Sequence, residues 1–317
     1  MPRPDQRYAG NFGKHADQKF IVNEPAILMD FLMASMPEKS RSTIKSYLAH
    51  KQVLVGSKPV SQFDHPLERG DLVTIRLGGK KEQDTYKGLT ILFEDKHIVV
   101  ISKESGLLSV ATDKEKAITA YNIVSFHIKK ANPRNRIFVV HRLDKDASGV
   151  MVFAKSEEIQ EKMQREWHEA VMERIYSVVV EGRIEQKEGT ITSYLKENKA
   201  LVMYSSQDPG DGQLAVTHYR VVRQGIEYSL LDVELETGRK NQIRVHMKDL
   251  GHPIAGDKKY GAVSSPLGRL CLHARLLAFI HPITGIEVRF EAPVPRRFMA
   301  LMKEEGALKK TKGKRTF

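Results

Sequence analysis

The chain is 317 residues long, with 41% hydrophobic and 28% charged residues and a formal net charge of +12. This is the composition of an ordinary globular protein, and the length allows two domains. No run of about 18 apolar residues could span a membrane, and the N-terminus has no apolar signal segment. The single cysteine, Cys271, excludes an internal disulfide and a cysteine-based metal cage. We therefore expect a cytoplasmic protein, and the basic excess indicates a polyanionic partner without distinguishing RNA from DNA.

The N-terminal quarter of the chain predicts an arm followed by a small domain. Residues 1–20 combine Pro, Gly, Asn and charged residues without apolar periodicity, which is typical of a flexible arm. Residues 21–78 predict a domain with two helices, the first beginning at Pro25 and the second capped by Ser40 or Ser42. The rest of this domain is predicted as a hairpin over residues 53–60 and a turn that leads into a strand within residues 67–77.

A larger domain follows. The polar, glycine-bearing residues 79–88 predict a linker, and residues 89–302 predict a second domain in which strands outnumber helices. Residues 303–317 hold six Lys or Arg against two Glu, which is typical of a disordered basic tail. The main predicted strands are 89–94, 97–103, 138–140, 150–154, 174–182, 216–222 and 228–235, and the predicted helices are 119–130, one capped by Ser156, 242–250 and 295–302.

The loop between the strands 138–140 and 150–154 is the strongest candidate for a catalytic site. Two buried strands flank a loop with six polar or charged side chains, and sites are commonly built where such loops leave a sheet. Asp144 is the candidate catalytic group, because a carboxylate can act as a nucleophile or base without a cofactor. The alternative is a charged turn in which Gly149 supplies backbone freedom. The loop side chains are His141, Arg142, Asp144, Lys145, Asp146 and Ser148.

The amino-acid sequence of this loop resembles a known catalytic motif. His-Arg-Leu-Asp at 141–144, followed by Ser148-Gly149, is similar to the motif of RluA-type pseudouridine synthases, with Ala147 in place of the family's Thr. Further blocks carry the resemblance, and three of them depart from the family pattern at one position. Thr237 to His246 matches the family's Thr-Gly-Arg-x-His-Gln-Ile-Arg-Val-His, with Asn241 in place of the first His. Arg174-Ile-Tyr176 matches the family's Lys-x-Tyr, with Arg in place of Lys. Lys103-Glu104 stands where the family has Lys-Pro.

This resemblance implies a fold, a reaction and a set of site residues. The fold is α+β, with a mixed, mainly antiparallel sheet, flanking helices and a central cleft. The reaction isomerises uridine within an RNA chain and needs no metal or organic cofactor. Asp144 would be the nucleophile or base, Arg244 would hold it ionised as an ion-pair partner, and Tyr176 would stack on uracil or act as a base. The resemblance also implies RNA contacts by His141, Arg142 and Arg239, with Arg142 filling the space that the flipped nucleotide leaves.

Residues 26–78 resemble a second family, the alpha-L RNA-binding motif named after ribosomal protein S-four. In this interpretation the second helix and the hairpin bind structured RNA, and their cations contact phosphates without reading sequence. The alternative is a solvated basic face on an interaction domain. The implied phosphate contacts are Arg41, Lys45, Lys51 and Lys58.

Together these observations predict an RNA pseudouridine synthase, with large-subunit ribosomal RNA as the family's most frequent substrate. We expect a monomer with structured RNA as its partner and no membrane or metal. One alternative is a catalytically silent RNA-binding or ribosome-assembly protein. Another is a hydrolytic enzyme acting on nucleic acid, which would need metal-binding carboxylates or a Ser–His pair, and the sequence indicates neither. Trp167 is predicted to lie in the core rather than to stack on bases, because it continues the apolar spacing of Ile159 and Met163.

Overall fold

A computed structural model describes residues 18–37, 39–49, 52–56, 58–75, 84–111 and 118–302. The chain forms two compact units, residues 1–82 and residues 83–317. The predictions for residues 1–17, for Lys51 and for the tail 303–317 lie outside the described residues. Within the described residues, no helix is long and apolar enough to cross a membrane.

The first unit is two helices packed on a small antiparallel sheet. The side chain of Ser40 accepts a hydrogen bond from the Thr43 backbone N–H at 3.2 Å, so this serine caps the second helix as predicted. The buried apolar core comes from both helices and the sheet, with Leu32, Ile44 and Val73 at its centre. Its elements are β1 (Gln18–Ile21), β2 (Ala26–Ile27), α1 (Leu28–Ser35), α2 (Arg41–Ala49), β3 (Val53–Val55), β4 (Lys58–Pro59), β5 (Pro66–Leu67) and β6 (Leu72–Ile75), with strand order β1-β6-β3-β4 and β2 paired with β5.

The second unit is built on one 12-stranded sheet. Its strands are β7 (Thr85–Tyr86), β8 (Leu89–Glu94), β9 (Ile98–Lys103), β10 (Phe138–Val139), β11 (Ser148–Ala154), β12 (Val171–Glu181), β13 (Glu188–Glu197), β14 (Met203–Ser206), β15 (Gln213–Gln224), β16 (Tyr228–Leu235), β17 (Leu272–Ile280) and β18 (Glu287–Glu291). Its helices are α3 (Ala120–Lys129), α4 (Glu157–Arg165), α5 (Trp167–Ala170), α6 (Gln242–Asp249) and α7 (Arg296–Met299). The mixed, mainly antiparallel α+β fold is confirmed.

Strand order places the last long strand in the middle of the sheet. The order is β14-β13-β15-β16-β12-β17-β11-β9-β8-β7, with β10 paired to β11 and β18 to β17. The β11–β17 pair is parallel, and the other pairs between described strands are antiparallel. Strand β17 therefore joins a half made of β7–β9 and β11 to a half made of β12–β16.

The two faces of the sheet are covered by different helices. On one face, Val124 of α3 and Ile243 of α6 pack with Met151 of β11 and Val178 of β12 in the main core. On the other face, Ile159 and its neighbours on α4 pack against the alternate residues of β11. All seven residues of β11 are buried, which explains the near-continuous apolar run in its sequence.

Several predicted boundaries are wrong. The first helix begins at Leu28 rather than at Pro25, because Ala26–Ile27 forms β2. The predicted arm extends to residue 20, but Gln18–Ile21 is strand β1, which pairs with β6. The predicted linker extends to residue 88, but Thr85–Tyr86 forms β7 and pairs with β8 through a turn at Gly88, where φ is +94°. Both segments are too short to show an alternating pattern, so the sequence gives little signal for them. The last helix ends at Met299 rather than at residue 302.

Candidate active site

The catalytic loop predicted from the sequence leaves β10 and returns into β11. Its backbone is held by the segment 103–109: the Ser109 hydroxyl donates to the Leu143 carbonyl at 2.7 Å, and the Ser105 hydroxyl donates to the Asp146 carbonyl at 2.6 Å. Asp144 lies between these two anchors, and its side chain is 39% exposed. The loop thus presents the Asp144 carboxylate from a fixed backbone.

The buried side chain of Lys103 connects the segment 103–109 to the catalytic loop. It is 1% exposed, and its ammonium donates to the carbonyls of Ala147 at 2.7 Å and Lys145 at 3.1 Å, and to those of Leu107 and Glu104. Burial lowers the pKa of Lys103 to about 8, and the charge of Arg269 acts in the same direction. The ammonium is therefore still the main form at neutral pH, and it ties the loop of Asp144 to strand β9.

Arg244 contacts Asp144 as the sequence predicts. Its Nη1 lies 3.2 Å from Oδ2 of Asp144 and 3.3 Å from Oδ1 of Asn241. The opposite edge of the guanidinium forms a two-pronged pair with Asp257, in which Nε and Nη2 each lie 2.7 Å from a carboxylate oxygen. Burial lowers the pKa of Arg244, but the hydrogen bond and charge of Asp257, with the charge of Asp144, outweigh it and raise the pKa overall.

The stronger partner of Arg244 is therefore Asp257, which the sequence analysis did not identify. Asp257 has a side chain that is 1% exposed, so it is a carboxylate fixed inside the protein, whereas Asp144 is partly open to solvent. The ring of Tyr260 lies 4.9 Å from the guanidinium carbon of Arg244 and closes its remaining face. Asp257 ends the turn-rich stretch Gly-His-Pro-Ile-Ala-Gly-Asp, which matches the family pattern. The stretch itself does not indicate that Asp257 pairs with Arg244, which lies 13 residues earlier in the chain.

Helix α6 carries Arg244, and its start is fixed by its first residue. Oε1 of Gln242 accepts hydrogen bonds from the Thr237 hydroxyl and the Arg239 backbone N–H, while its Nε2 donates to Val216 and Thr217 on β15. Asn241 precedes the helix at φ +55°, a left-handed conformation that asparagine tolerates better than most residues. The turn and the helix are thereby locked to the sheet, which fixes the direction of the Arg244 side chain.

A small cavity joins the two halves of the site. It has a volume of ≈ 90 Å³ and is lined by Asp144, Arg244 and Tyr176 together with Arg142 and Arg239. Tyr176 is 9% exposed, and its hydroxyl makes no hydrogen bond to any residue in the described ranges. Burial raises the pKa of Tyr176, the charge of Arg174 opposes this rise, and the charge of Asp144 adds to it. At neutral pH the phenol is therefore uncharged.

The other predicted RNA contacts are found in different environments. Arg142 is exposed beside the cavity, and Nε of Arg239 donates to the Leu214 carbonyl at 3.0 Å. In the first unit, Arg41 and Lys45 are exposed one helical turn apart on α2. The structure brings Arg142 and Arg239 to the cavity of the Asp144 carboxylate, whereas the cations of α2 belong to the other unit.

His141, which was predicted to contact RNA, also makes contacts within the protein, and its contact with RNA stays a prediction. Its Nε2 accepts the backbone N–H of Val152 at 3.1 Å, and its ring lies 4.9 Å from the ring of Trp167. Burial lowers the pKa of His141 to about 3, and the charge of Arg174 adds to this. The imidazole is thus a neutral part of the loop's support. Trp167 packs against the same core as α4, as predicted from its spacing.

A Ser–His pair exists that the sequence does not indicate. The Ser148 hydroxyl and Nδ1 of His273 are 2.9 Å apart, across 125 residues of sequence. Both residues are buried, at 5% and 4% exposure, and Arg269 donates to the same hydroxyl at 2.8 Å. Burial lowers the pKa of His273 to about 4. A buried hydroxyl that already accepts from an arginine is a poor nucleophile, so the pair supports the loop and does not favour a hydrolase.

Comparisons with known proteins agree with this fold and site. A model of the RNA pseudouridylate synthase family matches residues 97–249. The chain is 34% identical to the uncharacterized RNA pseudouridine synthase YhcT of Bacillus subtilis (strain 168), over 85% of this chain and 89% of that protein. It is 32% identical to the ribosomal large subunit pseudouridine synthase D of Neisseria meningitidis serogroup B, over 86% of this chain and 77% of that protein.

A solved structure extends the likeness to three dimensions. Human RNA pseudouridylate synthase domain containing 4 superposes with a TM-score of 0.55 at 25% identity, over 66% of this chain and 90% of that chain. The fold is therefore that of the pseudouridine synthases, a class of RNA-modifying isomerases. The chain belongs to the RNA pseudouridylate synthase family.

We expect the Lys103→Met variant to lose stability and activity together. Methionine keeps much of the side-chain volume but leaves four carbonyl oxygens without their donor, so the free energy of unfolding should fall by about 2–4 kcal/mol. Urea denaturation measures this loss. Ser105→Ala is the matched control, because it removes a single exposed donor to the same loop and should cost under about 1 kcal/mol. Equal small losses in both variants would show that Lys103 does not hold the loop.

Proposed function

We propose that this protein isomerises uridine to pseudouridine in the RNA of the large ribosomal subunit, with Asp144 as the catalytic carboxylate. One observation carries the proposal. A half-exposed carboxylate on an anchored loop meets a partly buried, doubly paired arginine beside a cavity that is lined by an uncharged tyrosine. The relatives named as large-subunit pseudouridine synthases supply the substrate class.

The reaction moves one bond and one proton within the substrate. The bond between N1 of uracil and C1′ of ribose breaks, the uracil turns, and a bond forms between C5 and C1′. The proton on C5 leaves, and N1 gains one. Asp144 acts as nucleophile or base in this sequence, and it must be ionised to do either. Nη1 of Arg244 lies 3.2 Å from Oδ2 of Asp144, and Asp257 keeps Arg244 in place for that contact.

Tyr176 is suited to contact the base rather than to remove a proton. Its raised pKa disfavours the phenolate, which is the form that a general base would need. Its ring belongs to the main core and lines the cavity, where it can stack against a uracil that has entered. The tyrosine ring therefore orients the uracil while Asp144 acts on the ribose or on the uracil ring.

The target uridine must leave its stack to reach Asp144. The cavity has a volume of only ≈ 90 Å³, which is far too small for a base pair, so the uridine would have to enter it unpaired. Flipping a nucleotide costs a few kcal/mol, and we propose that the exposed side chain of Arg142 fills the vacated space. This contact would recover part of the cost of flipping.

A catalytically silent RNA-binding protein is not favoured, because the full set of Asp144, Arg244 and Tyr176 surrounds one cavity. The direct test is to map pseudouridines in total RNA from cells with and without this gene, and to incubate the purified protein with large-subunit RNA transcripts. Pseudouridines that disappear with the gene and reappear at the same positions in vitro support the proposal. RNA that binds the protein without any isomerisation would contradict it.

For the first unit we propose RNA binding of the alpha-L type. Its support is two helices packed on a short sheet, with Arg41 and Lys45 exposed on α2 and Lys58 exposed on β4. Contacts of this kind are made to phosphates and weaken steeply as salt rises.

Removing residues 1–80 should lower the affinity for folded RNA while leaving turnover on a short hairpin substrate within about two-fold. The paired change Arg41→Ala with Lys45→Ala should reproduce part of this loss and should reduce the slope of log K against log salt by about 1.4–1.8. Filter binding across a salt series measures both. If neither change alters affinity or slope, this unit serves another partner.

A further inference from the structure

A second groove lies beside helix α3, away from the cavity of Asp144. Tyr121, Ser125 and Lys129 follow each other at four-residue spacing on one stripe of the helix. This stripe faces residues 136–139, the segment that enters β10, and Gln160 of α4 contributes to the wall. The space between them has a volume of ≈ 400 Å³. We call it the α3 groove.

The α3 groove is lined by cationic side chains. Lys129 and Arg136 line it and are exposed, and Arg134 is exposed nearby. None of these three makes an ion pair with a residue in the described part of the chain. Other exposed cations of this unit are paired, such as Lys196 with Asp211 and Lys240 with Glu197. An unpaired cluster in a protein of net charge +12 is suited to bind an anion.

Aromatic side chains accompany these cations. The ring of Tyr121 lines the groove, and its hydroxyl has no hydrogen-bond partner among the described residues. On the neighbouring stripe of α3, Phe126 is 61% exposed, and the ammonium of Lys130 lies 5.1 Å from the centre of its ring. Cations that follow a backbone, with aromatic rings beside them, are the usual makeup of a surface that binds single-stranded nucleic acid.

One wall of the groove, helix α3, lies on the face of the sheet that carries the active site, whereas α4, which carries Gln160, lies on the opposite face. Tyr176 pairs with Ala274, and Ala274 pairs with Gly149, so Met151 and Phe153 point to the same face as Tyr176. Helix α3 packs on these residues in the main core. Arg136 precedes Asp144 by eight residues, which span at most about 29 Å even when fully extended. One strand of nucleic acid carries several phosphates over that length.

We propose that the α3 groove binds the sugar–phosphate backbone of the RNA strand that flanks the target uridine, with Lys129 and Arg136 on phosphates and Tyr121 against a base. This inference rests on the proposed function, since it names the path of the substrate beyond the cavity. The groove holds the flanking strand while Asp144 acts on the flipped nucleotide. It should therefore affect the binding of long substrates and not the chemical step.

The test compares two double variants of the full-length protein. Lys129→Ala with Arg136→Ala removes the groove cations, and Lys187→Ala with Arg220→Ala removes two exposed cations from the far part of the sheet. Affinity is measured by filter binding on a long RNA substrate between about 50 and 200 mM salt. Turnover is measured on the same RNA and on a minimal substrate without the flanking strand. Melting temperatures should be unchanged in both variants, because these side chains are exposed.

We expect the groove variant to lose affinity for the long RNA, and its slope of log K against log salt to fall by about 1.4–1.8, as for two lost phosphate contacts. Its turnover on the minimal substrate should stay within two-fold of the parent protein, and the control variant should match the parent throughout. Equal losses in the two variants, or none in the groove variant, would overturn the proposal. If the parent binds RNA through the groove but forms no pseudouridine, the proposed function fails and the groove assignment stands.

Discussion

The Asp144→Asn variant should form no measurable pseudouridine while it binds RNA as tightly as the parent protein. The amide keeps the shape and hydrogen bonding of the side chain but has no negative charge, so it can neither attack carbon nor accept a proton. We expect a loss of about 10⁴-fold or more in turnover, the scale seen when an essential catalytic group is removed. Single-turnover assays with saturating enzyme separate this loss from any change in binding.

Asp146 provides the matched control for this experiment. It is exposed on the same loop, two residues further on, and carries the same charge. Asp146→Asn should keep turnover within about two-fold, since it changes the loop's net charge without touching the cavity residue. If the two variants lost activity equally, the charge of the loop and not the Asp144 carboxylate would be responsible. Normal turnover by Asp144→Asn would end the assignment.

Changes at Arg244 should lower both stability and turnover, in the order Arg, then Lys, then Ala. Arg244→Ala leaves the buried carboxylate of Asp257 without its partner, which typically costs about 3–5 kcal/mol. Lysine restores a charge but not the planar geometry that reaches Asp257 and Asp144 together, so Arg244→Lys should recover activity only partly. Urea denaturation and single-turnover rates measure the two effects.

The double change Arg244→Ala with Asp257→Ala separates stability from catalysis. Removing both partners leaves no buried charge unpaired, so its unfolding free energy should fall by less than the sum for the single variants. Its turnover should remain as low as that of Arg244→Ala, because Asp144 still lacks its cation. RNA affinity should change much less than rate in all of these variants. Equal losses in affinity and rate would make Arg244 a phosphate contact instead.

Much of the site could be predicted from local sequence, because its parts lie on elements with strong local signals. The capping of α3 by Thr119 and of α4 by Ser156, and the apolar run of β11, are visible in single segments. The contact between Arg244 and Asp144 was predicted from the family motifs, and it is present. Their catalytic roles stay predictions, as do the roles proposed for Tyr176 and Arg142.

The features that could not be predicted depend on contacts distant in sequence. Asp257 is an ordinary residue of a turn until the fold places it against the guanidinium of Arg244. Lys103 sits in a stretch where the family pattern predicts a lysine, but its four carbonyl partners come from two separate segments. His141 lies in a motif that indicates RNA contact, yet one backbone N–H and the ring of Trp167 fix its orientation. In each case tertiary packing decides the role.

The position of β17 determines when the active site can form during synthesis of the chain. Asp144 belongs to the half of the sheet that ends at β11, while Tyr176 and Arg244 belong to the half that begins at β12, and β17 lies between them. During synthesis from the N-terminus, the three groups have no shared scaffold until residues 272–280 have been added. Pairing at such long sequence separation is slow to form. The nascent chain therefore forms its active site late in folding. A chain that ends before β17 should have no active site.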